Sequence, residues 1–187
     1  YYYSTYEGGS VDSGVDYVPG LAASSKQRIA VIGSGPIRIG QGIEFDYGCV
    51  HAAGAIQDLG HEAIIINNNP ETVSTDFDTS DRLYFDPLTL ESVSEILLRE
   101  DANGILLQFG GQTAINLALP LSNELSHLSS MGLELVMEGT SPESVDEASD
   151  RERFEEFALR CGLRMPDGAT ATTPEGVRHA ANEIGYP

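Results

Sequence analysis

The chain has 187 residues, room for one complete domain and part of a second. It carries 29 Asp and Glu against 10 Lys and Arg, a formal net charge of −19, and that sign argues against nucleic-acid binding, which needs a basic surface. No run of about 18 apolar residues is present to span a membrane, and no cationic stretch precedes an apolar one as in a secretory leader, so a cytoplasmic protein is expected.

The acids are spread among periodic apolar segments, which sets the chain apart from a disordered acidic tail. Lys26 is the lone lysine beside nine arginines, a bias that favours a halophilic cytoplasm over an ordinary acidic protein. Cys49 and Cys161 lie far apart in predicted helices and are expected to be reduced and buried. His51, His61, His127 and His179 have no ligand spacing, so no metal site is expected in this segment.

Residues 1–25 show neither helical nor strand period and read as a linker belonging to a longer protein. A strand at 29–32 then meets a turn carrying Gly33, Gly35, Gly40 and Gly42, followed by a helix over 46–59. Further strands are predicted at 63–66, 83–85, 104–109 and 133–136. Helices are predicted over 90–99 and from an N-cap at Thr113, the latter interrupted by Pro120. This alternation predicts a parallel α/β sheet over 26–141. Residues 142–187 change pattern, with helices over 150–161 and 175–184 and no sheet to cover, and read as the truncated start of another domain.

In such a sheet the loops at the carboxyl ends of the strands face the ligand. The unusual stretches fall there: GSGPIRIGQGIEFDY, NNNPETVST, LQFGGQT and EGTS, which together predict a shared cleft. Glu44, Asp46 and Glu71 either complement helix dipoles or guide a small polar substrate. Arg38 binds an anion or pairs with one of those acids. At least one of Asn67, Asn68 and Asn69 is expected at a left-handed turn position, while Gly110, Gly111 and Gln112 allow close backbone approach and offer N–H donors to an anion. Asp78, Asp81 and Arg82 read as a local ion-paired turn. The glycines are spaced G-x-G-x4-G, which is neither the dinucleotide fingerprint nor a P-loop, and no nucleophile–base pair is evident.

GSGPIRIGQGIEFDY, INNNPETVSTDFDTSDRLYF, QFGGQTAINLA and GTSPESVDEASDRERF together resemble the large, synthetase subunit of carbamoyl phosphate synthetase, in unbroken order over residues 28–187. The form of the second loop resembles the second, carbamate-phosphorylating half. The resemblance implies a Rossmann-like pre-ATP-grasp domain followed by the start of an ATP-grasp domain. It implies an ATP-dependent ligase making carbamoyl phosphate, for arginine and pyrimidines, from bicarbonate, glutamine-derived ammonia and two ATP. Arg38, Gly42, Glu44 and Glu71 would line a carbamate passage, with Gly33, Gly35, Gly40, Asn69, Gly110, Gly111 and Gln112 shaping its loops. Arg151, ahead of Arg153, would contact ATP. Mg²⁺ or Mn²⁺ ligands would lie downstream, leaving the segment inactive alone, and a glutaminase small subunit and other large-subunit domains would be its partners. Two differences from the family are a longer, Gly/Ser-rich stretch at 7–25 and an apparent surface insertion at 121–131. The alternatives are a dinucleotide-binding oxidoreductase module, opposed by the glycine spacing and by Asn rather than an acid after the second strand, and another ATP-grasp carboxylase or ligase.

Overall fold

The structure, a computed structural model, describes residues 26–37 and 43–185. The chain divides after Pro142 into two compact units. In the first, strands β1 (Arg28–Ile32), β2 (Glu62–Ile66), β3 (Arg82–Tyr84), β4 (Gly104–Leu106) and β5 (Val136–Met137) form a five-stranded parallel sheet in the order β3-β2-β1-β4-β5. Its helices are α1 (Glu44–Asp58), α2 (Leu90–Glu100), the short α3 (Gly111–Ile115) and α4 (Ala118–Ser130).

Continuous apolar strands and right-handed crossovers dictate this layering. Side chains alternate across a strand, so Val31, Ala63, Ile65 and Leu83 meet Cys49, Ala53 and Ile56 of α1 on one face. Ala30, Ile32, Ile64 and Ile66 point the other way, where the crossovers toward β4 and β5 place α2 and α4. Burial pushes the Cys49 thiol up to about 12. The second unit holds α5 (Pro142–Ser149), α6 (Arg151–Arg160) and α7 (Pro174–Ile184). Asp150 caps α6 by accepting from the Arg153 N–H, and Thr173 caps α7 by accepting from that of Gly176, with Pro174 in the first turn.

Several expected boundaries shift, each for a local reason. β4 stops at Leu106 rather than residue 109, because the chain turns at once to enter α3, whose N-cap is Gly110; Thr113 lies inside that helix. Pro120 does not interrupt α4, since it occupies the first turn, where no intrahelical N–H is required. Residues 121–131 do not lie wholly at the surface either, for Leu121 and Leu128 of α4 are fully buried. Leu133 is no strand residue. With Gly132 at φ +97° it closes the end of α4, its N–H bonding to the Leu128 carbonyl at 3.1 Å, so pairing in β5 begins at Val136. Acid-rich α5 has no buried stripe and gave no periodic signal. Cys161 is exposed, contrary to expectation.

The amino edge of the sheet holds a charged cluster. Glu100, at the end of α2 and only 2% exposed, accepts hydrogen bonds from the Arg82 guanidinium and the Tyr84 hydroxyl. Arg82 also reaches Glu62 at 3.5 Å, and Arg28 joins Glu62 at 3.6 Å while donating to the Glu100 carbonyl at 2.6 Å. Burial first, then the hydrogen bond to Glu100, hold the Tyr84 phenol well above the usual tyrosine range. The expected Asp78–Asp81–Arg82 turn is replaced accordingly. Arg82 points to this cluster, and Asp81 accepts from the Ala63 N–H at 2.8 Å and from Gln57 at 3.2 Å. Glu100→Ala would leave a guanidinium and a hydroxyl without their shared acceptor. It is expected to cost about 3 kcal/mol against about 1 kcal/mol for Tyr84→Phe, read from urea-unfolding midpoints.

Candidate functional site

All five strands are parallel, so the segments that follow them gather at one edge of the sheet. Side chains stitch these segments together. Asn67, 1% exposed, accepts from the Gly35 N–H at 3.0 Å and donates to the Ser74 hydroxyl at 3.1 Å, joining the loop after β1 to the one after β2. Gly33 makes room for it, because a Cβ there would stand 2.2 Å from the Asn67 Cγ. Asp46, in the first turn of α1, accepts from the Val73 and Ser74 N–H groups, each at 3.1 Å. Within the loop, Asn69 accepts from the Glu71 N–H at 3.0 Å, and the Thr75 hydroxyl donates to the Asn69 carbonyl at 2.8 Å.

The loop after β4 is held as closely. A Cβ on Gly110 would meet the Gly33 carbonyl oxygen at 2.4 Å and that of Ile32 at 2.5 Å. The Phe45 ring of α1 lies over Gly111, and the Phe109 side chain packs against Gly48 of α1. Gln108 occupies the space above Gly139, tying the β4 and β5 loops together.

These contacts decide several readings. Asp46 complements its own helix dipole and also anchors a neighbouring loop, so it is not a solvent-facing substrate acid. Glu44 and Glu71 are both exposed, each two residues before a segment that the Asp46 clamp joins, which brings their backbones to the same rim. Gln112 is exposed and donates to Asn116 at 2.7 Å. Gly33 and Gly110 are required by close packing within the protein itself. None of Asn67, Asn68 or Asn69 is left-handed, since among the described residues Asp101, at φ 49°, is the one non-glycine with positive φ. Arg38, Gly40 and Gly42 lie outside the described residues.

In the second unit, Arg153 is ion-paired with Asp146. Arg151 is exposed, and its side chain makes no hydrogen bond or ion pair within the described residues. No three His, Cys, Asp or Glu side chains gather as a metal site among the described residues, and no helix there is long and apolar enough to cross a membrane.

Sequence reasoning missed the Asn67–Ser74–Asp46 connection and the buried Asn68 Oδ1, which has no hydrogen-bond partner among the described residues. An Asn and a Ser beside a helix-starting Asp are too common to signal a clamp before the fold brings them together.

The fold is a doubly wound α/β domain whose strand order reverses between β1 and β4, where ligand clefts of this class open. Solved structures share that fold: the biotin carboxylase domain of a single-chain bacterial carboxylase and the N5-carboxyaminoimidazole ribonucleotide synthetase of Thermus thermophilus. Both align with a TM-score of 0.58, at 16% and 18% identity, over 84% and 85% of this chain and 34% and 37% of theirs. Residues 25–147 match the family described as carbamoyl phosphate synthase preATP-grasp domain, and the chain belongs to that family. It is 51% identical to the carbamoyl phosphate synthase large chain of Methanothrix thermoacetophila and 50% identical to that of Methanosarcina barkeri. Both matches run over the whole chain but only 16% of each relative's length.

Two glycine substitutions separate close packing from mere presence in a loop. Gly110→Ala is expected to destabilise by about 1–3 kcal/mol through its clash with the β1 loop. Gly54→Ala, in open space within α1, should be neutral or slightly stabilising. Thermal unfolding of both variants checks this.

Proposed function

We propose that this chain is part of a carbamoyl phosphate synthase large subunit and belongs to the half that phosphorylates carbamate. The whole enzyme would make carbamoyl phosphate, for arginine and pyrimidine synthesis, from bicarbonate, ammonia released from glutamine and two ATP. Residues 26–141 are the pre-ATP-grasp domain, 142–187 begin the ATP-grasp domain, and 1–25 link to the domain before. The observation that carries this reading is the pair of exposed carboxylates, Glu44 and Glu71, on segments held to one rim by Asp46.

A carbamate amino group donates hydrogen bonds, which carboxylates accept. Arg38 and Gly42, which precede Glu44 in the sequence, would complete the passage wall, the arginine balancing the carbamate's own negative charge. In phosphoryl transfer the protein's work is mostly positioning and charge neutralisation, so a carboxylate-lined entry and a cationic ATP anchor are fitting contributions. Arg151 suits that anchor because its guanidinium is uncommitted among the described residues, whereas Asp146 engages Arg153. Mg²⁺ or Mn²⁺, which would neutralise charge on the transferred phosphoryl group, would be held by residues outside those described; among the described residues no metal-binding cluster gathers. The partners are a glutaminase small subunit and the remaining large-subunit domains, in a cytoplasm whose salt would screen the −19 surface. Asn67 weighs against a dinucleotide module: it stands where the acid for a ribose would, and its side chain covers Gly33.

In the full-length large chain with its glutaminase, Glu44→Ala or Glu71→Ala is expected to lower the carbamoyl phosphate formed per ATP hydrolysed. An unaltered ratio for both would remove them from the passage. Arg151→Ala should raise the KM for ATP in carbamate phosphorylation with a smaller change in kcat, and an unaltered KM would reject the assignment.

A further inference from the structure

Asp46 is a buried carboxylate whose hydrogen bonds reach beyond its own helix. It sits 27 and 28 residues before the backbone donors it accepts from, and it is only 8% exposed. One oxygen takes the Val73 N–H and the other the Ser74 N–H, both at 3.1 Å. Those N–H groups open a short 3-10 turn, Val73–Thr75, whose preceding residue Thr72 is extended and makes no side-chain cap. A carboxylate from another element therefore does the work of the missing cap. Ser74 is fully buried and accepts from Asn67, which in turn accepts from Gly35. Hydrogen bonds thus run unbroken from the β1 loop through Asn67 and Ser74 to the first turn of α1.

We infer that Asp46 is a positioning residue for the passage: it fixes the Glu71 loop against the turn of α1 that carries Glu44, and so sets the spacing of the two carboxylates. This rests on the passage reading given above. Asp46 itself accepts two backbone donors and is buried, so it acts through the loop and not on the substrate. Both carboxylate oxygens are needed. An asparagine keeps the size but replaces one acceptor with an NH₂ group facing a backbone N–H.

The test uses the full-length large chain with its glutaminase. Asp46→Asn is expected to speed amide exchange at Val73 and Ser74 by about fivefold, the equivalent of one lost hydrogen bond, and to lower the product formed per ATP toward the ratio of Glu71→Ala. In the Glu71→Ala background it should lower that ratio no further. Val73→Pro deletes one of the two donors from the other side. Thr72 before it is already extended, as a residue preceding proline must be, so this variant reports on the clamp even where Asp46→Asn fails to fold. Full coupling in both variants while Glu71→Ala is uncoupled would overturn the positioning role alone, as would losses that add to that of Glu71→Ala. Full coupling in Glu71→Ala itself would overturn the passage reading and the positioning role with it. Unchanged exchange at Ser74 would show that Asp46 does not hold the loop.

Discussion

The carboxamide of Asn67 lies where a side chain on Gly33 would have to be, and this mutual exclusion organises the working edge of the sheet. With Gly33 bare, Asn67 can bridge Gly35 and Ser74. Ser74 is then held where Asp46 can take its N–H together with that of Val73. Gly110 presses on the Gly33 and Ile32 carbonyls from the other side, so the loop after β1 is gripped between its two neighbours in the sheet. The glycines of this edge serve a packing problem: three loops from adjacent strands must converge with almost no side-chain volume between them.

The opposite edge solves a different problem with charge. Arg28, Glu62 and Arg82 come from three adjacent strands, and Glu100 reaches them from the end of α2. Burying ionised groups is costly, so the cluster exists only because each carboxylate meets more than one donor. Polar labour is thus divided between the edges. Ion pairs fix strand register where the strands begin, while amides and glycines shape the loops where they end. The loops can then carry the exposed carboxylates Glu44 and Glu71 without also having to hold the sheet together.

Much of this architecture was legible in the sequence. The short continuous apolar runs of β1 and β2, each bounded by turn residues, read as buried parallel strands, and once their direction is set the unusual loops must share an edge. Boundaries were legible only where a cap or breaker stands beside the helix, as with Gly60, at φ 84° just past α1, and Pro174, in the first turn of α7. Leu133 looked like a strand residue because an apolar side chain closing a helix and one entering a sheet are written with the same letter. The three asparagines suggested left-handed turns, but their side chains are spent across loops, and Asp101 took the left-handed place at the end of α2. Glu44 and Asp46 are indistinguishable in sequence, both acids in the first turn of one helix. Only the arrival of residues 73 and 74 from elsewhere separates the exposed one from the buried one.

The two cysteines end up in opposite chemical circumstances. Cys49 lies under the sheet at 1% exposure, and with its thiol raised to about 12 it is almost never a thiolate near neutrality. Cys161 is exposed at the end of α6. To a thiol-alkylating reagent or a maleimide dye, a folded chain with two thiols offers a single address. A spectroscopic reporter can therefore be attached in the second unit while the first, with its sheet and its loop clamp, stays chemically untouched.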